Sequence, residues 1–143
     1  MWKREYSKIY LGVKKEDIWC LWTDVNNWPA WHRDLEYCTL LGEFAVGSHF
    51  ILKASKAPKV TIEITEVEQG RKFTDCTKFF GAKMYNTHEI EDVSNGVHVK
   101  NTLTVTGPLQ WLWIKLVAQN VANTVPEELD ALVNLAKNQK FAQ

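Results

Sequence analysis

The sequence predicts an α+β protein in which one long helix lies against a curved antiparallel sheet of about seven strands. Three observations predict it. A first strand-like stretch is followed by two short helical ones. About six strand-like segments then run in series with only turn signals between them. After Gly107 and Pro108 the period becomes helical and holds to about Lys140. Connections this short join consecutive strands as antiparallel neighbours.

Each element has its own signal. Arg4 to Val13 reads as a strand through Tyr6, Ile9, Tyr10, Leu11 and Val13. The stretch KKEDIWCLWTDV places Glu16 and Asp17 in a first helical turn and Ile18, Leu21 and Trp22 on one face. Asn26 or Asn27 is expected to cap a second short helix, with Pro29 in its first turn, where the missing N–H has no partner to lose. The strand segments are LEYCTLL, HFILKAS, KVTIEITEV, KFTDCTKFF, KMYNTHEIE and VHVKNTLTV, broken by Gly42 to Gly47, KAP, EQG, Gly81 and SNG. In the last helix Pro126 is expected to kink or restart the chain. Beyond it Leu129, Leu132, Val133 and Ala136 form a stripe that would lie on a sheet.

A chain of 143 residues fits a single domain, and 45% hydrophobic with 24% charged residues is the balance of a folded one. Lys plus Arg and Asp plus Glu both number 17, so no long-range field draws the chain to nucleic acid or to anionic lipid. Cys20, Cys38 and Cys76 are odd in number and widely spaced, and read as reduced, buried thiols. His32, His49, His88 and His98 fall on different elements, and GEFAVG lacks the pattern of a phosphate loop, so neither a metal nor a cofactor is expected. MWKREYSKIY lacks the apolar stretch of a secretory signal, and LQWLWIKLVA is about half the roughly 20 residues of a membrane span. A cytoplasmic location follows as the expectation.

Strand alternation gives the inward face. It holds Val60, Ile62 and Ile64 on one strand, Met84, Asn86, His88 and Ile90 on another, and Val97, Val99, Asn101, Leu103 and Val105 on a third. His98 faces out. Asn86, His88 and Asn101 are polar groups on an otherwise apolar face, so they must bond one another, water or a ligand. In KFTDCTKFF either face carries apolar residues, which leaves the direction of Asp75 open.

The stretch DIWCLWTDVNNWPAWHRDLEYCTLLGEFAVGSHF, with Asp24, Pro29, Trp31, Gly42 and Gly47, resembles the START-like or SRPBCC superfamily, and most resembles its polyketide cyclase/dehydrase-like branch. The His88–Ile90 strand, the turn at Asn95 and Gly96, and Gly107 before the last helix support the resemblance, which covers the whole chain. It implies a helix-grip fold and a cavity between sheet and helix that takes an apolar or amphipathic molecule such as a lipid, sterol or polyketide. The tryptophan-rich start of the last helix and Pro126 depart from the family pattern.

The leading expectation is therefore binding of such a molecule, with Asn86, His88 and Asn101 meeting its polar groups. Trp31, Phe50, Leu52, Ile62, Ile64, Met84, Leu103 and Trp113 would supply the apolar lining. An enzyme of cyclase/dehydrase type would use His88 as acid or base with the asparagines as donors. The alternative to catalysis, and the preferred one, is that His88 and Asn86 form a satisfied internal network with no substrate. A third alternative is a non-enzymatic interaction subunit. Of Trp28 and Trp31, the second is expected to pack down and the first to rim the cavity. Trp111 and Trp113 lie about 200° apart on a helix. Either one closes the cavity while the other meets a partner, such as a second copy or a membrane surface, or the sheet buries both. Lys53, Lys56 and Lys59 mark a solvated hairpin tip.

Overall fold

Seven strands alternate apolar and polar residues and join into one antiparallel sheet. They are β1 (Trp2–Leu11), β2 (Leu35–Leu41), β3 (His49–Ala54), β4 (Val60–Glu68), β5 (Lys72–Phe79), β6 (Ala82–Val93) and β7 (Gly96–Thr106). The computed structural model describes residues 1–142, with side chains through residue 138. The sheet order is β1-β7-β6-β5-β4-β3-β2, so every neighbour is a sequence neighbour except β1, which pairs with β7. Register shifts between Leu35 and Tyr37 and between Ile64 and Glu66 insert extra residues that bend the strands and curl the sheet.

Helix α1 (Lys15–Thr23) and a 3₁₀ helix (Val25–Ala30) link β1 to β2. Ile18, Leu21 and Trp22 are buried as their spacing requires, and Trp19 joins them. Cys20, on the opposite side of α1, is exposed, which corrects the expectation of three buried thiols; Cys38 and Cys76 are buried. Neither asparagine caps the 3₁₀ helix. Asn26 Oδ1 instead accepts from the Leu40 N–H at 2.8 Å and Asn27 Nδ2 donates to Asp24 Oδ2 at 2.8 Å, so both side chains tie the turn to its surroundings. Trp28 and Trp31 are both buried, so Trp28 rims nothing: its indole N–H donates to the Trp22 carbonyl at 3.0 Å, and Phe50 lies 5.1 Å away.

The C-terminal helix comprises α2 (Gln110–Trp113), one π turn (Ile114–Ala118) and α3 (Gln119–Ala142). It runs unbroken through Pro126, contrary to the sequence expectation. Val125 and Leu129 on either side are both buried, and that packing holds the helix through the missing N–H. Polar bonds clamp α3 along two flanks. From β1, Arg4 donates to Asn123 at 2.9 Å, while the Tyr10 hydroxyl and Lys8 donate to Asp130 at 2.7 and 3.2 Å. From the segment before β2, His32 Nε2 reaches Glu128 at 2.9 Å.

Between helix and sheet the apolar residues form two clusters. The larger gathers the aromatic residues of α1, the 3₁₀ helix and β3–β5 around Val125, Leu129, Leu132 and Val133 of α3. The smaller lies at the other end of the grip and joins Ala82, Met84, Leu103 and Val105 to Ala118 and Ala122.

Candidate functional site

Register brings the inward polar residues together. Asp75 of β5 lies directly opposite Asn86 of β6, and His88 of β6 lies opposite Asn101 of β7, which itself pairs with Tyr6 of β1. Directly opposed residues share a sheet face, so Asp75, Asn86, His88, Asn101 and Tyr6 all point towards the helix. Asn101 Nδ2 donates to Asn86 Oδ1 at 2.7 Å, and Asp75 and Asn101 are both buried. Asp75, Asn86, His88 and Asn101 form a polar row across the middle strands, while Tyr6, on edge strand β1, packs against the larger cluster.

Asp75 faces inward, the direction that alternation alone left open. It shares parity with Phe73 and Thr77, and the outward alternative is taken by Cys76, buried on the opposite face of β5. Burial pushes the Asp75 carboxyl up to about 8, so at neutral pH it is largely protonated and donates as well as accepts.

His88 lies in an aromatic slot. Its ring stacks on Phe73 at 4.1 Å and meets the edge of Trp22 at 5.5 Å. Burial pushes its pKa down to about 4, against the opposing effects of the Phe73 backbone and, less, of the Glu128 charge, and its Nδ1 is buried with no hydrogen-bond partner. A neutral, desolvated imidazole is a weak base at pH 7.

Glu128 connects this interior to the surface. Its carboxylate accepts from Thr124 at 2.8 Å and pairs with His32 at 2.9 Å. It lines a cleft of about 540 Å³ between α3 and the segment Trp31, His32, Arg33 and Asp34. A larger depression of about 760 Å³ lies outside the grip, between the start of α1 and the β6–β7 turn, remote from the polar row.

The expected lining residues divide among these places. Trp31 borders the cleft. Phe50, Ile62 and Ile64 are buried in the larger cluster, with Leu52 packed against it. Met84 and Leu103 belong to the smaller one, against which Trp113 packs. Asn86 and Asn101 lie between the two. Trp22, Phe73, His32 and Glu128 are not among the site residues that the sequence predicts. Only Phe73 carried a usable signal, its position two residues from Asp75 on a strand of uncertain facing.

Chains of known structure share this architecture. A hypothetical protein of Helicobacter pylori superposes with a TM-score of 0.76 at 14% identity, over 94% of this chain and 87% of its own. Ara h 8.0201 superposes with a TM-score of 0.75 at 14% identity, over 94% of this chain and 97% of its own. Norcoclaurine synthase of Thalictrum flavum, in complex with dopamine and hydroxybenzaldehyde, superposes with a TM-score of 0.69 at 12% identity, over 94% and 86%. The chain has the helix-grip fold. At such identities the likeness concerns fold alone, and the START-like resemblance holds at that level. No family model matches the chain, and no curated protein matches it by sequence.

Within the helix-grip frame, the polar row lies on the concave face of the sheet, opposite the first half of α3. Tyr6, Asn86 and His88 remain only partly buried there, as do Trp113, Val117 and Val121 on the helix side.

Proposed function

We propose that the protein binds a small apolar or amphipathic molecule, lipid-, sterol- or polyketide-like, between the sheet and the C-terminal helix. The observation that carries this reading is the polar row of Asp75, Asn86 and Asn101, set on the concave face between the apolar residues of the two clusters. A ligand carbonyl or hydroxyl there would accept from the protonated Asp75 or from an asparagine amide, and its hydrocarbon would lie on Met84, Leu103 and Val121. On this reading the cleft beside Trp31, bordered by the His32–Glu128 pair, would be the route of access. That other proteins of this fold include a synthase crystallised with two small aromatic molecules supports a concave binding site.

Native mass spectrometry of protein purified from cells, followed by extraction of any retained compound, tests this. A retained apolar molecule that is lost in Asn101→Leu and Asp75→Leu supports the reading. An empty protein that also fails to take up an apolar fluorescent dye overturns it.

A second reading, an enzyme of cyclase/dehydrase type, is favoured by one observation: the inward carboxyl held at about 8 would serve as a general acid near neutral pH. On that reading Asp75→Asn abolishes turnover of the bound compound while leaving its binding intact, and His88→Phe leaves both.

A further inference from the structure

We propose that the end of the molecule formed by the β5–β6 turn and the start of the C-terminal helix is a docking surface for an anionic lipid bilayer. Phe80 in the turn is 84% exposed, and Trp111 and Leu116 on the helix are 64% and 55% exposed. Single exposed apolar residues are ordinary, but Phe80 and Trp111 lie on the two parts of one braced unit. The Trp113 ring stacks on Phe79 at 4.4 Å, its indole N–H donates to the Phe80 carbonyl at 2.7 Å, and the Leu109 N–H donates to the Gly81 carbonyl at 2.9 Å. The turn and the helix start are thus fixed to each other, and Phe80 and Trp111 project without a partner.

The charges select the occupant. The segments 78–83 and 107–118, which build this end, contain Lys78, Lys83 and Lys115 and no Asp or Glu, although the chain as a whole has 17 of each sign. Lys78 and Lys83 stand directly opposite each other on β5 and β6, a like-charge pairing that is unfavourable in the free protein and relieved by an anionic surface. Lys78 reaches Glu63 only at 3.8 Å. A second copy docked by the same face would oppose lysine to lysine. Lipid headgroups accept both parts of the patch: aromatic rings settle at the headgroup level and lysines pair with anionic lipid. Among the described residues no helix is long and apolar enough to cross a membrane, so the contact is peripheral. With zero net charge the chain has no long-range attraction, and binding depends on the short-range insertion of Phe80 and Trp111.

Sedimentation with phosphatidylcholine vesicles, with and without phosphatidylserine, tests the proposal. The expected result is pelleting with the serine lipid that weakens as salt is added. Each of Lys78→Gln and Lys83→Gln should weaken it about fivefold. Phe80→Ser combined with Trp111→Ser should abolish it, while circular dichroism, melting and dye uptake by the interior stay unchanged, since both side chains lie outside the core. Three results would overturn it: no pelleting with phosphatidylserine vesicles, pelleting undiminished in the double variant, or a dimer in light scattering that the double variant converts to monomer.

Discussion

Asp75 and His88 lie on neighbouring strands of one face, and burial displaces their titrations in opposite senses. The folded protein holds the Asp75 proton up to about pH 8 against 3.8 ordinarily, so this group favours the native state at low pH and loses that advantage as pH rises through the interval. His88 stays neutral down to about 4 against 6.5 ordinarily, so its contribution is present above 6.5 and is lost as pH falls towards 4. The two slopes, each about 1.4 kcal/mol per pH unit, oppose each other between pH 4 and 6.5. Above 6.5 only the Asp75 slope remains. Denaturant melts at several pH values should show stability falling between pH 6.5 and 8, and Asp75→Asn should remove that fall. A fall that persists in Asp75→Asn would place the titrating group elsewhere. At Asn101, Leu should leave the Asn86 oxygen without its donor and destabilise by about 1–3 kcal/mol, measured by urea unfolding.

At the scale of elements, the C-terminal helix tolerates a proline because the tertiary contacts on both sides of it are intact. Pro126→Ala restores a donor and should stabilise by up to about 3 kcal/mol, seen as a higher urea midpoint. The expectation of a kink rested on local propensity, and the buried Val125 and Leu129 override it. The opposite case is Gly107, with φ at +112° and the Gly81 carbonyl oxygen only 2.5 Å from where a Cβ would stand, so that no side chain fits. This close approach lets the helix start meet the β5–β6 turn. Gly107→Ala should cost about 1–3 kcal/mol from backbone strain alone and should loosen Trp113 from Phe79, shifting the tryptophan fluorescence.

At the scale of the whole molecule, the grip is closed from two sides, by the β1 side chains on Asn123 and Asp130 and by His32 on Glu128. A ligand bound beneath α3 should stabilise the entire cooperative unit, by about 2.7 kcal/mol at a hundredfold excess over its Kd. Thermal melts of protein as purified and after extraction with organic solvent should then differ, the extracted sample melting lower and recovering when the extract is returned.

Strand count, hairpin succession, the inward face of β4, β6 and β7 and the terminal helix were all legible in the sequence, because each is a local periodicity that one buried face imposes. Asn86 and Asn101 were legible for the same reason: a polar residue at an apolar position breaks the pattern visibly. What only the tertiary structure decided was pairing across distance. The stacking of His88 on Phe73, the inward turn of Asp75, the grip of β1 on Asp130 and the His32–Glu128 contact join residues far apart in the chain, and no periodicity records them. The protonation of the inward groups was decided there too, because desolvation is set by everything packed around a group and not by the residues beside it in sequence.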